Sequence, residues 1–486
     1  MSLARPLCPQ TSARVLAVLL ALGAWASATA ADPHSDLFSP DFFSTRSTLQ
    51  HDLPGLKDPF SEVCGPLPAT LTLSAAVDAA LCRNPTTRSA WAQAHGAAAA
   101  LGAAESAWFP TIQVQGGESR SFGPHVDVTG NITDTPQNTS DAAASLSWTL
   151  YDFGARGNRI HGTRLLLDAA AATASSTVQQ TIFTAAQSFY AVVANDAALI
   201  AAQTTETTAQ RSLDAANALQ TGGVTTRGDV LQAQTAHDQA VLARLQAERA
   251  VKSAYGTLAT LLGVTADQPL KLQSDPVPGQ VPALSARLAD LMSEAEHQRP
   301  DLAAARDQRD AAEAAVYLAR AAGRPSISLS AGREWINTTG ISPAQNYSEI
   351  GLNVTIPIFT GFNVGYGVRQ AQAQLENQEA NAERIRLGVS LDVWNAYYGV
   401  DSTAQQLAQT ATLVQTAQQN QDVALGRYQS GVGTFLDLLT AQTAAASARV
   451  QRIQAEFSWQ VARAQLALAL GRLSSAEPLA GVAAAP

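Results

Sequence analysis

Glu349-Ile350-Gly351-Leu352-Asn353-Val354-Thr355-Ile356-Pro357-Ile358 sets Ile350, Leu352, Val354, Ile356 and Ile358 on one face and Glu349, Gly351, Asn353 and Thr355 on the other. A period of two over this span is that of a β-strand with one apolar face. Its length matches the roughly 9–11 residues a tilted strand needs to cross a bilayer. Three further segments alternate in the same way: Ile112, Val114 and Gly116; Leu146, Trp148 and Leu150; Ile327, Leu329 and Ala331. The pattern predicts strands over 111–122, 141–151, 326–336 and 347–358. The joining segments, 121–140 and 337–346, are polar and rich in Gly, Asn and Thr. Trp335, Tyr347, Phe359, Tyr151 and Phe153 stand near strand ends, as interfacial aromatics do. Two soluble hairpins with one buried face are the alternative these strands also fit.

The strands come in pairs because the chain repeats itself. Gly223-Val224-Thr225-Thr226-Arg227-Gly228-Asp229, followed by Ala233-Gln234-Thr235, returns as Gly431-Val432-Gly433-Thr434-Phe435-Leu436-Asp437, then Ala441-Gln442-Thr443. The offset is 208 residues, and Leu262-Gly263 and Tyr190 recur at it as Leu470-Gly471 and Tyr398. Nearer the start of each half, Asn84-Pro85 and Phe109-Pro110 match Arg299-Pro300 and Arg324-Pro325 at an offset of 215. The chain therefore divides into repeats at 70–264 and 284–472, joined by a proline-bearing linker at 265–283 and flanked by an extension at 32–69 and a tail at 473–486.

Each half reads as a short helix that Ser74 can cap, a second helix from Pro85 to about Trp108, two strands, a long helix, a turn and another long helix. The long helices are expected at 157–219 and 227–262, then at 365–428 and 434–470. Val178, Ile182, Ala185, Phe189, Val192 and Leu199 lie mostly three or four apart, with Asp196 interrupting them. Leu387, Leu391, Trp394 and Tyr398 keep the spacing in the second copy. A helix of roughly 60 residues is about 90 Å long and cannot be covered by its own chain, so coiled-coil or oligomeric packing is expected. Four strands cannot close a barrel, and open sheet edges are not tolerated in lipid. Closure requires several protomers in one barrel, with the Gln-, Thr- and Ser-rich helix faces lining water.

Arg5 and Arg14 precede an uncharged run, Val15 to Trp25, that ends in Ala28-Thr29-Ala30 ahead of Asp32. This is the pattern of a secretory signal peptide over 1–31. The apolar run is too short for a membrane helix, and no later segment supplies one. The remaining chain carries 29 basic against 40 acidic residues, which argues against nucleic acid as a partner. Cys8 precedes the apolar run rather than closing it, unlike a lipoprotein cysteine. Cys64 and Cys82 would meet an oxidising compartment, as a disulfide or as two free thiols. The seven histidines are scattered with no metal-ligand spacing, and no phosphate loop or nucleophile elbow occurs. Neither enzyme chemistry nor a cofactor is expected.

The Asn84-Pro85 start, the Leu150-Tyr151-Asp152-Phe153-Gly154 junction, its counterpart Pro357-Ile358-Phe359-Thr360-Gly361 and the two Gly-Val turns, in that order in both halves, resemble the TolC family of outer-membrane efflux and secretion channels. The resemblance covers the chain beyond about residue 70. It implies a mainly α fold with a membrane β part: a homotrimer whose protomers each give four strands to a shared twelve-stranded barrel on an α-helical tunnel. The tunnel would stand in the periplasm and the barrel in outer-membrane lipid. The resemblance further implies that Gly223, Val224, Gly431 and Val432 form tips that dock a periplasmic adaptor (membrane fusion protein), which links the duct to an inner-membrane pump of ABC or RND type. The subunit itself would be passive.

In the family, acids past the second tip ring the narrow entrance. Asp437 matches the first of these positions and Thr440 stands at the second. Tyr428 matches a latch tyrosine, Asp229 an acid of the first tip, and Gly433 stands where some members carry a latch arginine. The residues also have a local reading. Thr226 to Asp229 and Thr434 to Asp437 have capping-box spacing, which puts an acid in the first helical turn. The glycines let the chain turn between antiparallel helices, and Tyr428 can equally be a packing residue. The Ala79-Ala80-Leu81-Cys82-Arg83-Asn84-Pro85 stretch, with Cys64 upstream, is similar to members serving type I protein secretion. Small-molecule efflux is the alternative cargo, and a periplasmic coiled-coil scaffold is the alternative class.

Overall fold

The computed structural model describes residues 64–126, 130, 132–134, 136–273, 287–339 and 343–473. The signal peptide, nearly all of the 32–69 extension, the second half of the linker and the tail beyond Leu473 lie outside them. The first repeat contains α1 (Leu73–Arg83), α2 (Pro85–Glu105), β1 (Thr111–Ser121), the small hairpin β2 (His125–Val126) and β3 (Ile132–Thr133), β4 (Gln137–Tyr151), α3 (Ala155–Thr221) and α4 (Arg227–Leu261). The second contains α5 (Leu288–Gln298), α6 (Pro300–Ala321), β5 (Ser326–Thr338), β6 (Gln345–Thr355), α7 (Asn363–Gln429) and α8 (Phe435–Ala469). The long helices have 67 and 35 residues in each half, so the repeat read from the sequence is a repeat of structure. At 1.5 Å per residue, α3 and α7 are about 100 Å long.

The four long strands form one antiparallel sheet in the order β1-β4-β5-β6. Thr111 faces Ser147 in the first hairpin and Ser326 faces Thr355 in the second, with Ser147 opposite Ser330 where the halves meet. The apolar row points outward, uncovered by any helix: Val114 is 81% exposed and Ile350 77%. These hairpins therefore have no buried soluble face. No helix among the described residues is long and apolar enough to cross a membrane.

Left-handed residues turn strand into helix at both junctions. Phe153 (φ 52°) and Gly154 (φ 93°) serve the first half, and Gly361 (φ 60°) and Phe362 (φ 65°) the second. The first junction is fastened by a buried arginine. Arg156 donates to Asp152 Oδ2 at 2.9 Å and to the carbonyls of Thr149 (2.6 Å), Leu150 (3.1 Å) and Ala107 (3.3 Å). Its guanidinium also lies 4.2 Å over the Trp108 ring.

Below the sheet, α3 pairs with α4 and α7 with α8, and α8 also packs on α3. The largest core lies where Val77 and Ala80 of α1 meet Val178, Ile182, Phe189 and Val192 of α3 and Leu258 of α4. Its pseudo-equivalent joins Leu291 and Ala295 of α5 to Val389, Val393 and Val400 of α7. Asp196, which breaks the apolar series of α3, accepts a 2.9 Å hydrogen bond from the Tyr255 hydroxyl. Burial, with that carboxylate, pushes this hydroxyl up to about 12. Thr173, Thr177 and Thr181 each donate to the carbonyl four residues earlier, so a threonine-rich helix satisfies its own hydroxyls.

The first helix starts earlier than Ser74 would make it. Leu71 is bridged to Leu272 and holds Thr72 extended (φ −86°, ψ 167°), so the Thr72 hydroxyl caps α1 by accepting from Ala75 N. Asn84 caps α2 through Thr86 N at 2.8 Å and donates to the Leu261 carbonyl at 3.0 Å. Cys64 and Cys82 are joined in a disulfide with Cα atoms 6.0 Å apart, and Arg83 donates to the Gly65 carbonyl at 2.5 Å.

The long hairpin helices α4 and α8 end on Gly263 (φ 71°) and Gly471 (φ 75°). A Cβ at Gly263 would lie 2.8 Å from the Arg83 carbonyl oxygen, and one at Gly471 2.8 Å from that of Gln298. Gly471→Ala is therefore expected to cost about 1–2 kcal/mol for the left-handed backbone alone, with the clash in addition. Thermal unfolding of the purified variant checks this; an unchanged transition contradicts it.

Candidate functional site: the paired helix tips

At the end away from the sheet, two tips are built from the same parts. Gly223 (φ 75°) and Gly431 (φ 73°) take the left-handed position after α3 and α7. Gly223 N donates to Gln220 O and Val224 N to Leu219 O, both at 2.9 Å. Gly431 N donates to Tyr428 O at 3.0 Å and Val432 N to Arg427 O at 2.9 Å. This pair of hydrogen bonds closes each helix through a left-handed backbone conformation that glycine adopts without penalty. Val224 and Val432 are left exposed. A Cβ on Gly431 would stand 3.7 Å from Val224 Cγ1, so the tips touch although they are far apart in the chain.

The next helices start with complete capping boxes. Thr226 accepts from Asp229 N, Thr434 accepts from Asp437 N at 3.1 Å, and each carboxylate reaches back to its threonine's N–H. Beyond this the acids differ. Asp229 is half-buried and also accepts from the Thr225 hydroxyl, the main reason its carboxyl sits below the usual range. Asp437 is exposed, held low chiefly by Thr434 with a smaller effect of the Arg427 charge. Thr440, one turn on, is exposed too, and its hydroxyl donates to Leu436 O at 2.8 Å.

Tyr428 occupies a different setting from Asp437 and Thr440. It is 3% exposed in the protomer, packed among Leu213, Ala216, Ala233 and Leu438, with its ring 5.5 Å from that of Phe435. Its hydroxyl makes no hydrogen bond of normal geometry and faces Thr225 and Asp229 of the first-half tip. Burial pushes it up, the Thr225 side chain opposes this, and the Asp229 charge adds to it. Tyr428 thus joins the halves through the core. At Gly433, a Cβ would stand 3.1 Å from Arg427 Cβ and 3.3 Å from the Arg427 carbonyl carbon, so this turn is closed too tightly for a long side chain to replace the glycine unmoved.

The caps give the tips a pH dependence. Both carboxyls are lowered in the folded chain, so they stabilise it above their unfolded pKa, near 4, and cease to as pH falls through the folded values. Amide exchange at 222–230 and 430–438 should accelerate as pH drops from about 5 to about 3, after correction for intrinsic rates. Thr226→Ala should cost about 1 kcal/mol and reproduce the fraying of α4 at neutral pH. Exchange that does not change with either treatment would contradict the capping account.

A sheet of membrane-length strands with an outward apolar row, continuous with paired helices of about 100 Å ending in capped tips, defines an outer-membrane export channel subunit with a periplasmic helical tunnel. The family described as outer membrane efflux protein matches residues 76–264 and 291–472, and the chain belongs to that family. It is 32% identical over 393 residues to protein CyaE of Bordetella pertussis, covering 79% of this chain and 80% of that protein. It is 27% identical over 384 residues to the toluene efflux pump outer membrane protein TtgC of Pseudomonas putida, covering 75% of each. Among solved structures, CusC matches with a TM-score of 0.73 at 21% identity over 86% of this chain and 98% of that one. VceC of Vibrio cholerae matches at 0.71 and 20% over 82% and 96%.

Proposed function

We propose that three copies of this chain close one twelve-stranded barrel and one helical tunnel, forming the passive exit duct of a tripartite export system. The observation that carries this is the sheet, whose edge strands β1 and β6 end in open hydrogen-bonding rows at membrane depth. Such edges are paired in lipid, and a barrel is the arrangement that pairs all of them. The tips Gly223-Val224 and Gly431-Val432 dock a periplasmic adaptor, and an ABC or RND pump in the inner membrane supplies the energy. The cargo is a polypeptide, as in type I secretion. The Cys82 to Pro85 stretch and its tie to Cys64 support this, as does the identity with CyaE exceeding that with TtgC. The similarity to a toluene efflux protein favours small-molecule efflux as the second reading. Deleting the gene separates them: loss of a secreted polypeptide with unchanged drug susceptibility supports the first, and the converse contradicts it.

In the trimer, three exposed Asp437 carboxylates ring the entrance, with Thr440 one turn behind and Asp229 and Tyr428 fixing the adjacent tip. Negative charge around a narrow water-filled passage attracts cations and repels anions. Asp437→Ala is expected to lower the cation-over-anion permeability ratio severalfold in planar bilayers. An unchanged ratio would leave Asp437 as a helix cap alone.

A further inference from the structure

The four long strands carry six charged side chains: Glu118, Arg120, Asp141, Arg333, Glu334 and Glu349. Strand alternation sorts them by sign. Counting by twos along the outward apolar row leads from Val114 to Glu118 and Arg120 on β1, and from Leu329 to Arg333 on β5. The same count from Leu146 and Ile350 leaves Asp141 and Glu349 on the opposite face, where Glu334 also falls. The pairing agrees: Arg120 stands opposite Asn138, and Arg333 opposite Ala144 and Ser348, whereas Asp141 stands opposite Gly117 and Glu349 opposite Gly332. Both arginines thus point away from the enclosed space, and three of the four carboxylates point into it. Turned inward, either arginine would have met carboxylates. Of the described residues, none forms an ion pair with either one.

The arginines sit where the outward row stops being apolar. On β5, Ile327, Leu329 and Ala331 precede Arg333, and on β6 the row passes from Ile350 to Ser348 beside it. On β1, Ile112, Val114 and Gly116 precede Glu118 and Arg120, with Ser140 and Asn138 opposite these two. A cation on the lipid face is costly at mid-bilayer and nearly free at the headgroups, so this level is a headgroup level. It lies at the loop end of the strands, away from the periplasmic helices, and therefore in the outer leaflet.

Both places are assembled from the same parts. Arg120 is followed two residues on by Phe122, whose ring centroid lies 5.3 Å from the guanidinium. Arg333 is followed two residues on by Trp335. Each has a small polar side chain opposite, Asn138 or Ser348, and both arginines and both aromatics are exposed. The internal repeat does not account for this likeness, because the offset of 215 carries Arg120 to Trp335 and Glu118 to Arg333.

We infer that Arg120 and Arg333 bind the phosphate groups of the phosphorylated glycolipid that forms the outer leaflet, one headgroup at each arginine. This rests on the barrel proposed above and concerns its outer wall, not its passage. The planar guanidinium meets a phosphate through two parallel N–H donors. The amide of Asn138 and the hydroxyl of Ser348 add a neutral donor beside each. Glu118, the one outward carboxylate, stands two residues from Arg120 and weakens its field, so Arg333 is the stronger of the two sites.

The test uses the full-length trimer, purified in detergent and freed of lipid, titrated with bisphosphorylated lipid A and with the same lipid after enzymatic dephosphorylation. The unsubstituted protein should bind the phosphorylated form about tenfold more tightly, the scale of one or two hydrogen bonds to a charged group. Arg333→Gln should reduce this preference more than Arg120→Gln, and the double variant should abolish it. Lysine at both positions should keep part of it, since the charge remains and the fork is lost. Single-channel conductance should be unchanged throughout, because these side chains face away from the passage. Equal affinity of the unsubstituted protein for the two lipids overturns the inference and leaves the arginines as cations resting at the interface. A preference that survives in the double variant places the phosphate elsewhere and overturns it too. Inorganic phosphate that displaces the lipid at equal concentration overturns the lipid as the ligand. An unsubstituted protein that forms no conducting trimer brings down the barrel reading, and this inference with it.

Discussion

Arg156→Ala should lower stability by about 3–5 kcal/mol, because it leaves a buried carboxylate without its cation and three carbonyls without a donor. Arg156 lies against Asp152 with both side chains largely covered, and it reaches the end of β4, the segment before β1 and the Trp108 ring at once. The expected readout is loss of the heat-stable oligomer and a reduced yield in the outer-membrane fraction. Lysine should not rescue it, since one ammonium cannot serve a carboxylate and three carbonyls in a planar fork. The second junction has no such clamp: its corresponding region begins α7 with the exposed Asn363. Asn363→Ala should change stability by no more than about 0.5 kcal/mol, as surface substitutions do. Equal effects at the two junctions would contradict the assignment of the clamp to Arg156.

Replacing both Cys64 and Cys82 with serine should cost about 3 kcal/mol, the loop-closure value for a separation of 18 residues. The disulfide ties the segment before the first repeat to α1, and the Arg83 contact with Gly65 reinforces it. The segment should become cleavable ahead of Leu71 under limited proteolysis, with conductance retained because sheet and tips are built from other elements. Reductant should erase the difference between the two proteins. Equal melting temperatures without reductant would show that the bond bears no load.

The fold was legible in proportion to how local its causes are. Both copies of the long helix extend a little beyond the expected spans, 155–221 against 157–219 and 363–429 against 365–428, because turn geometry rather than apolar spacing ends them. β4 begins at Gln137 rather than 141: Gln137 to Ser140 are polar on both faces, so pairing with Glu118 to Ser121 extends the strand where no alternation marks it. β6 stops at Thr355 although Ile356 and Ile358 keep the alternation, since Pro357 has no N–H to give a ladder.

At the tips, the capping acids announce themselves by three-residue spacing, and Gly223 and Gly431 by their place after a helix. Two features do not. Tyr428 meets Thr225 and Asp229 across some 200 residues of chain, a proximity that no window on the sequence contains. Arg156 reads as one more basic residue in the first turn of a helix, where a cation is locally unfavourable. Its role lies in carbonyls supplied by two other segments.

The central claim is that this chain forms a water-filled passage through the outer membrane. Single-channel recording of the purified full-length protein in a planar lipid bilayer tests it most directly. Stepwise conductance from protein recovered as an outer-membrane trimer is the expected result. A silent bilayer, with protein that fractionates with the soluble periplasm, would contradict the account and return the chain to a periplasmic scaffold.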